Sequence, residues 1–87
     1  MSQKLKQDEI ILLGKNIRDL RMEKDITQEQ MTARLQVRGI PISRTSYAKI
    51  EIGTRHVETS CLEAIKDILG TTYERLMAHT GEAEPER

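Results

Sequence analysis

The sequence predicts an all-α fold, and three observations support that prediction. Apolar residues recur at spacings of three and four, which places them on one face of successive helices. Glycine and proline are few, with five Gly and two Pro among 87 residues. No stretch alternates between apolar and polar residues for long enough to indicate a strand. We therefore expect one compact domain of five helices, and its core must be aliphatic because aromatic residues make up only 2% of the chain.

The first two helices are predicted from periodicity and from residues typical of helix ends. The first spans about residues 8–24, and its apolar face consists of Ile10, Leu13, Ile17 and Leu20. Asp25 follows, at a position where the residue that ends a helix often takes a positive φ. Thr27 and Gln30 have the spacing of a capping box, so the second helix begins at Thr27. Gly39 is suited to end it.

A connector and a third helix follow. Pro41 has no backbone N–H and disfavours helical geometry at Ile40, so this segment is extended. Ser43 is a favourable N-cap for a third helix over residues 44–52, which Gly53 ends. We expect the isoleucines of the connector to anchor it to the core.

The last third of the chain predicts two more helices. The apolar stripe of the fourth helix consists of Leu62, Ile65, Ile68 and Leu69. Gly70 ends this helix and Thr72 caps a short fifth one. The expected domain therefore covers residues 8–78. Residues 1–7 form an N-terminal extension, and residues 79–87 form a disordered acidic tail without large apolar side chains.

The formal net charge is zero, with 14 basic and 14 acidic groups, but the charges are unevenly distributed. Residues 1–37 carry seven basic and six acidic groups, residues 38–56 four and one, and residues 57–87 three and seven. The charged residues of the central block are Arg38, Arg44, Lys49, Arg55 and Glu51. Such a distribution presents one basic face to an anionic partner despite the neutral total.

Several classes of function are not expected. A single cysteine, Cys61, forms no internal disulfide, and it suits the reducing cytoplasm and a small buried position. One Cys and two His are too few for a tetrahedral zinc site. No nucleophile–base pair or glycine-rich phosphate loop is recognisable, so we expect neither enzyme activity nor a cofactor. The apolar run of residues 10–13 is too short for a membrane span or a signal peptide.

The second helix, the connector and the third helix have the order of a helix-turn-helix. In such a unit the second helix of the pair enters the major groove of DNA by its N-terminal end. The candidate base-reading residues are therefore Ser43, Arg44, Thr45 and Lys49. Gln28, at the start of the first helix of the pair, is a candidate for contact with a phosphate. Arg55 and His56 follow the third helix and are candidates for the next phosphates.

The chain resembles a known family in two stretches. LGKNIRDLRMEKDITQEQMTARL (residues 13–35) and ISRTSYAKIEIGTR (residues 42–55) are similar to the lambda-repressor-like helix-turn-helix family, the XRE or Cro/cI type. The resemblance covers about residues 13–77. It implies a five-helix domain that binds double-stranded operator DNA as a two-fold dimer and acts as a transcriptional regulator, a repressor in this reading.

Carried over by position, the resemblance implies the same base-reading residues and the phosphate contact of Gln28. It adds a phosphate cluster in residues 52–56 and places Ser46 against the DNA backbone or a base. Three departures stand out. Five additional residues lie in the segment 36–42, which leaves the docking angle of the third helix open. Asp25 replaces the usual glycine, and Ile52 stands where many relatives place Asn, so a phosphate contact is missing there.

Two apolar regions are open to two interpretations, core or dimer surface. One is the run of residues 10–13. The other consists of Tyr73, Leu76 and Met77 on the fifth helix. The fifth helix is our preferred dimer interface.

The alternative to DNA binding is a helical protein-interaction module, antitoxin-like or an adaptor subunit, that uses the same fold. In that reading Arg44 and Lys49 are ordinary solvated side chains. A regulatory protein partner is compatible with both readings. Glu51 is interpreted as a structural residue that pairs with an arginine of the first helix, such as Arg21.

Overall fold

The computed structural model describes residues 6–78, and within them all regular secondary structure is helical. The five helices are α1 (Gln7–Glu23), α2 (Gln28–Val37), α3 (Arg44–Ile52), α4 (Thr59–Leu69) and α5 (Tyr73–Leu76). The all-α prediction is therefore confirmed, and the predicted first helix is displaced by a single residue at each end. Most of the expected N-terminal extension and the whole tail of residues 79–87 lie outside the described residues. Within residues 6–78, no helix has the length and hydropathy needed to cross a membrane.

The helices enclose an aliphatic core with one aromatic ring, that of Tyr47. The most deeply buried apolar side chains are Leu13, Ile17, Met31, Leu35, Tyr47, Ile65, Leu69 and Leu76. Each contributes roughly 1.5–3 kcal/mol through removal of apolar surface from water. Cys61 is buried among them, as expected, and burial raises the pKa of its thiol. Of the predicted α4 stripe, Leu62 and Ile68 are only half-buried and pack against the edge of the core.

The predicted helix ends are confirmed in detail. The Thr27 hydroxyl accepts a hydrogen bond from the Gln30 N–H (3.0 Å), and the Gln30 side chain accepts one from the Thr27 N–H (2.9 Å). Asp25 has the expected positive φ, 57°. Ser43 and Thr72 cap α3 and α5 in the same way as Thr27, each by accepting from the third residue of its helix. Local sequence therefore determines where most of these helices begin.

The connector between α2 and α3 is anchored as expected. Ile42 is buried in the core and Ile40 is half-buried against it. The Gln36 side-chain amide donates to the Ile42 carbonyl over 2.9 Å, which ties the end of α2 to the start of α3. The additional residues of segment 36–42 therefore extend α2 to Val37 and then form a turn and a short connector held to the core.

Helix α1 packs against α3, α4 and α5, while α2 packs against α3 and α4. The contact between α1 and α3 is close because Gly14 has no side chain. A Cβ atom at position 14 would clash with the Ile50 carbonyl oxygen and lie 2.7 Å from that of Glu51. We call this contact, with the buried Arg21 nearby, the α1–α3 junction. It fixes the position of α3 on the rest of the domain.

Candidate nucleic-acid interface

Helix α3 has one face in the core and one face in solvent. Tyr47 and Ile50 are almost fully buried, 0% and 2% exposed. The candidate base-reading residues are all exposed: Ser43 at the cap, Arg44 and Thr45 in the first turn of the helix, and Lys49 in its last turn. Lys49 follows Thr45 by one helical turn, so the two lie on the same side. The structure thus brings these four residues together on one outward surface.

The two serines at the start of α3 differ in their availability. The Ser43 hydroxyl accepts a hydrogen bond from the Ser46 N–H over 3.1 Å, and it keeps its own hydrogen for donation. Ser43 itself is exposed, whereas Ser46 is half-buried. Ser46 therefore offers less surface to a ligand than the other candidates on this helix.

The loop after α3 presents the remaining basic candidates. Gly53 ends the helix with φ 90°, and both the Gly53 and Thr54 N–H groups donate to the Lys49 carbonyl at 3.0 Å. Gly53 also lies against α1, where an added Cβ would come within 2.8 Å of the Ile11 Cα. This turn leaves Arg55 and His56 exposed beyond the end of α3.

Gln28 is the first residue of α2 and is half-buried, unlike the exposed candidates of α3. Its side-chain nitrogen donates to Glu51 Oε1 over 2.9 Å. Gln28 therefore links the start of α2 to α3 through a hydrogen bond between side chains. No local sequence pattern indicates this link.

Glu51 and Arg21 form the buried ion pair that the sequence analysis expected. Arg21 Nε donates to Glu51 Oε2 over 2.6 Å and Nη2 donates to Oε1 over 3.1 Å. A further Arg21 nitrogen, Nη1, donates to the Ile26 carbonyl over 2.6 Å. The two side chains are 8% and 5% exposed. The interpretation of Glu51 as a structural residue that pairs with Arg21 is confirmed.

The surroundings of this pair determine its protonation. Burial raises the pKa of the Glu51 carboxyl, but hydrogen bonds from Arg21, Tyr47 and Gln28 outweigh it, so the pKa lies below its ordinary value. The hydrogen bond with Glu51 raises the pKa of Arg21, so both groups stay charged. The Tyr47 hydroxyl is buried nearby, and burial raises its pKa.

The C-terminal candidates for a dimer surface are placed differently from one another. Leu76 is 0% exposed and belongs to the core, so it has no surface to offer a second subunit. Met77 is half-buried against the core, whereas Tyr73 is 45% exposed. Lys66 Nζ lies 5.2 Å from the centre of the Tyr73 ring. Periodicity alone did not separate Leu76 from Tyr73, because a four-residue helix gives too short a pattern.

The end of α5 is fixed to the middle of α1 by Asn16. This side chain is buried, and its amide nitrogen donates to the Leu76 carbonyl (2.7 Å) and the Ala78 carbonyl (2.6 Å). The sequence analysis did not single out Asn16. An amide among apolar residues on the inner face of a helix was the signal for such a buried polar contact.

A second surface feature lies between helices α2 and α4. A shallow groove of about 390 Å³ runs between α2 and α4, lined by Ala33, Arg34, Val37, Arg38, Asp67 and Ile68. We call it the α2–α4 groove. Val37 at its edge is 87% exposed. Arg38 and Asp67 face each other across it at 3.8 Å, both well exposed.

Helices α2 and α3, joined by a stapled connector and carrying an exposed polar face at the start of α3, form a helix-turn-helix. The family model of the helix-turn-helix domain matches residues 12–80, well over half of the chain. The protein therefore belongs to this family of XRE-like helix-turn-helix domains, and membership suggests a DNA-binding regulator. No protein of curated function and no solved structure shows significant similarity to the chain.

Proposed function

We propose that this protein is a sequence-specific transcriptional repressor that binds operator DNA as a two-fold dimer in the cytoplasm. Each subunit places the start of α3 in a major groove. The observation that carries the proposal is the exposed polar face of α3, formed by Ser43, Arg44 and Thr45 at its start and by Lys49 further along the helix. A guanidinium at the start of the helix can donate to both acceptors of a guanine edge.

The charge of the surface around α3 supports this proposal. Glu51 is the sole acidic residue of the block 38–56, and it is buried in its pair with Arg21. Arg44, Lys49 and Arg55 are exposed, and none of them forms an ion pair within residues 6–78. The face that meets DNA is therefore more basic than the neutral total suggests.

Backbone contacts complete the proposed interface. Gln28 at the start of α2 and the pair Arg55 and His56 after α3 hold phosphates on either side of the reading helix. Ser46 is a secondary contact because it is half-buried. These contacts supply affinity that depends on salt, whereas the start of α3 supplies the choice of sequence.

The dimer in this proposal uses the exposed ring of Tyr73 and the adjoining edge of Met77. The two subunits then read half-sites about 34 Å apart, one turn of DNA. A regulatory protein that covers the same C-terminal helices would compete with dimerisation. The number of half-sites in a bound sequence reports directly on this part of the proposal.

The experiment that tests the proposal is a selection of bound sequences from random duplexes at two salt concentrations. We expect an enriched palindrome, with an affinity for it that falls with salt at a log–log slope of about −0.9 per phosphate neutralised. If no sequence is enriched, the proposal is wrong. An enriched site without two-fold symmetry would contradict the dimer alone.

Base reading and phosphate contact are separated by a matched pair of variants. Arg44→Ala should relax the preference at one base position, at a cost of roughly 1–3 kcal/mol on the preferred sequence. Arg55→Ala removes the same charge from a phosphate contact and should weaken all sequences about equally. If Arg44→Ala kept its full sequence preference in the same selection, Arg44 would not be a base-reading residue.

One observation favours the alternative, a protein-interaction module. Val37 exposes an apolar side chain beside the α2–α4 groove, at the end of α2. A protein bound there would be held mainly by apolar contacts, which depend little on salt. Val37→Ser would then abolish binding of that partner without changing the affinity for the selected DNA.

A further inference from the structure

Three helices meet at the carboxylate of Glu51. Arg21 from α1 donates to it over 2.6 and 3.1 Å, and Gln28 from α2 donates to it over 2.9 Å. Glu51 itself lies on α3, one residue from its end. The carboxylate therefore connects the residue at the start of α2 to the helix that reads the bases.

The contact with Glu51 determines which way the Gln28 amide faces. An ionised carboxylate only accepts hydrogen bonds, so the amide nitrogen of Gln28 must face it and the amide oxygen must not. The guanidinium of Arg21 keeps the carboxylate ionised in the folded protein. The Gln28 carboxamide could otherwise turn either its oxygen or its nitrogen toward α3. The contact with Glu51 holds it in one orientation.

Charge balance at Glu51 does not require Gln28. The ion pair with Arg21 already neutralises the carboxylate, and both residues are buried. The third donor instead comes from a half-buried side chain at the protein surface. Gln28 has two amide hydrogens, and Glu51 accepts one of them, so the second remains for a group outside the three helices.

We propose that Glu51 is a positioning residue for DNA: it orients the Gln28 amide so that its second N–H donates to a phosphate, and Arg21 holds Glu51 in place for this. The inference rests on the proposed function, since it assigns a role within that interface. Glu51 is then required for one specific phosphate contact, although it is buried and does not itself touch DNA. Removal of the Glu51 acceptor should therefore cost the same phosphate contact as removal of Gln28.

The test is a cycle that combines protein variants with single phosphates replaced by neutral methylphosphonates in the selected duplex. Replacement of any contacted phosphate should weaken binding to the wild type, and for the phosphate held by Gln28 we expect a loss of roughly tenfold, as for a charge-assisted hydrogen bond. Gln28→Ala should bind natural DNA about tenfold more weakly and be indifferent to the methylphosphonate at that position. This pair of results locates the phosphate held by Gln28.

Two double variants then isolate the role of Glu51. Both Arg21→Met with Glu51→Gln and Arg21→Met with Glu51→Met remove the buried ion pair, and such replacements are often neutral for stability. Only the first keeps an acceptor oxygen for Gln28. The amide at position 51 of the Gln variant can still accept from Gln28, but it can also donate and it lacks the support of Arg21, so we expect this variant to retain part of the methylphosphonate effect and the Met variant to lose all of it. A Met variant that retains the full effect would overturn the inference.

A measurement on the wild type covers the case in which the double variants do not fold. The two Nε2 hydrogens of Gln28 should give separate NMR signals in the free protein. On addition of the selected duplex, one should stay unchanged and the other should shift. If both shift and the bond to Glu51 is lost, the inference is wrong. A wild type that selects no sequence overturns the proposed function and this inference with it; a selected duplex without a Gln28-dependent phosphate overturns the inference alone.

Discussion

The α1–α3 junction and the α2–α4 groove show two different ways in which helices meet in this domain. At the junction, Gly14 allows backbone to approach backbone, and a buried ion pair crosses the contact. At the groove, an ion pair of 3.8 Å between exposed side chains spans an open surface, and Val37 contacts mainly solvent. Helix α3 is therefore held on the tightly packed side. The open side carries surface that stability does not require.

The largest expected effect is at the centre of the junction. Glu51→Ala leaves the buried guanidinium of Arg21 without its partner and should lower the free energy of unfolding by about 3–5 kcal/mol. Urea unfolding measures this directly. Glu63→Ala, at an exposed position of α4, is the matched control and should change stability by no more than about 0.5 kcal/mol. Equal midpoints for the two variants would show that the junction does not depend on its ion pair.

Gly14→Ala tests the close approach of the backbones. Alanine favours a helix over glycine by about 1 kcal/mol, but its Cβ would overlap the Ile50 and Glu51 carbonyl groups. Backbone on both sides leaves no flexible side chain to move aside, so we expect a net loss of about 2 kcal/mol. The neighbouring Lys15→Ala, on the exposed face, should be nearly neutral in the same unfolding experiment. A Gly14→Ala protein as stable as the wild type would mean that α1 and α3 can separate at little cost.

The pH dependence of stability tests the ion pair at the same junction. The pKa of Glu51 lies below its ordinary value of 4.5 in the folded protein, so the unfolded state binds protons first as pH falls. The contribution of Glu51 is present above about pH 4.5 and is lost as pH falls below that value through the folded pKa. Unfolding measured from pH 7 to 3 should show a smaller acid loss in the Arg21→Met, Glu51→Gln variant than in the wild type. Identical pH profiles would contradict the assignment.

The smallest expected effect is at the α2–α4 groove. Arg38→Ala removes an exposed ion pair with Asp67, and such pairs contribute about 0–1 kcal/mol, less at high salt. Urea unfolding at low and at high salt measures the difference. A loss above about 1 kcal/mol would mean that the groove is closed more firmly than its exposed side chains indicate, and the contrast with the junction would weaken.

Much of the fold was predictable because the residues that begin and end its helices can be recognised in the local sequence. Thr27, Ser43 and Thr72 cap helices through hydrogen bonds within their own first turns, and Gly53 and Gly70 end helices in left-handed geometry. Such contacts involve residues three or four positions apart. They require no contact with distant parts of the chain.

The site was predictable in position but not in its connections. Arg44 and Lys49 could be predicted to be exposed because they lie away from the face of α3 that buries Tyr47 and Ile50. The link from Gln28 to a carboxylate 23 positions away does not follow from any local pattern. Pairing of opposite charges did indicate the partner of Glu51, because a lone acidic residue on a buried face needs a nearby cation.

The sequence by itself determined where the helices lie, which faces are apolar, and that positive charge gathers around the third helix. Periodicity, caps and block charge depend only on neighbours along the chain. Only the tertiary structure decided that Leu76 is core and Tyr73 surface, and that one carboxylate is shared by α1 and α2. These outcomes depend on distances between segments far apart in sequence, which packing sets and local pattern does not.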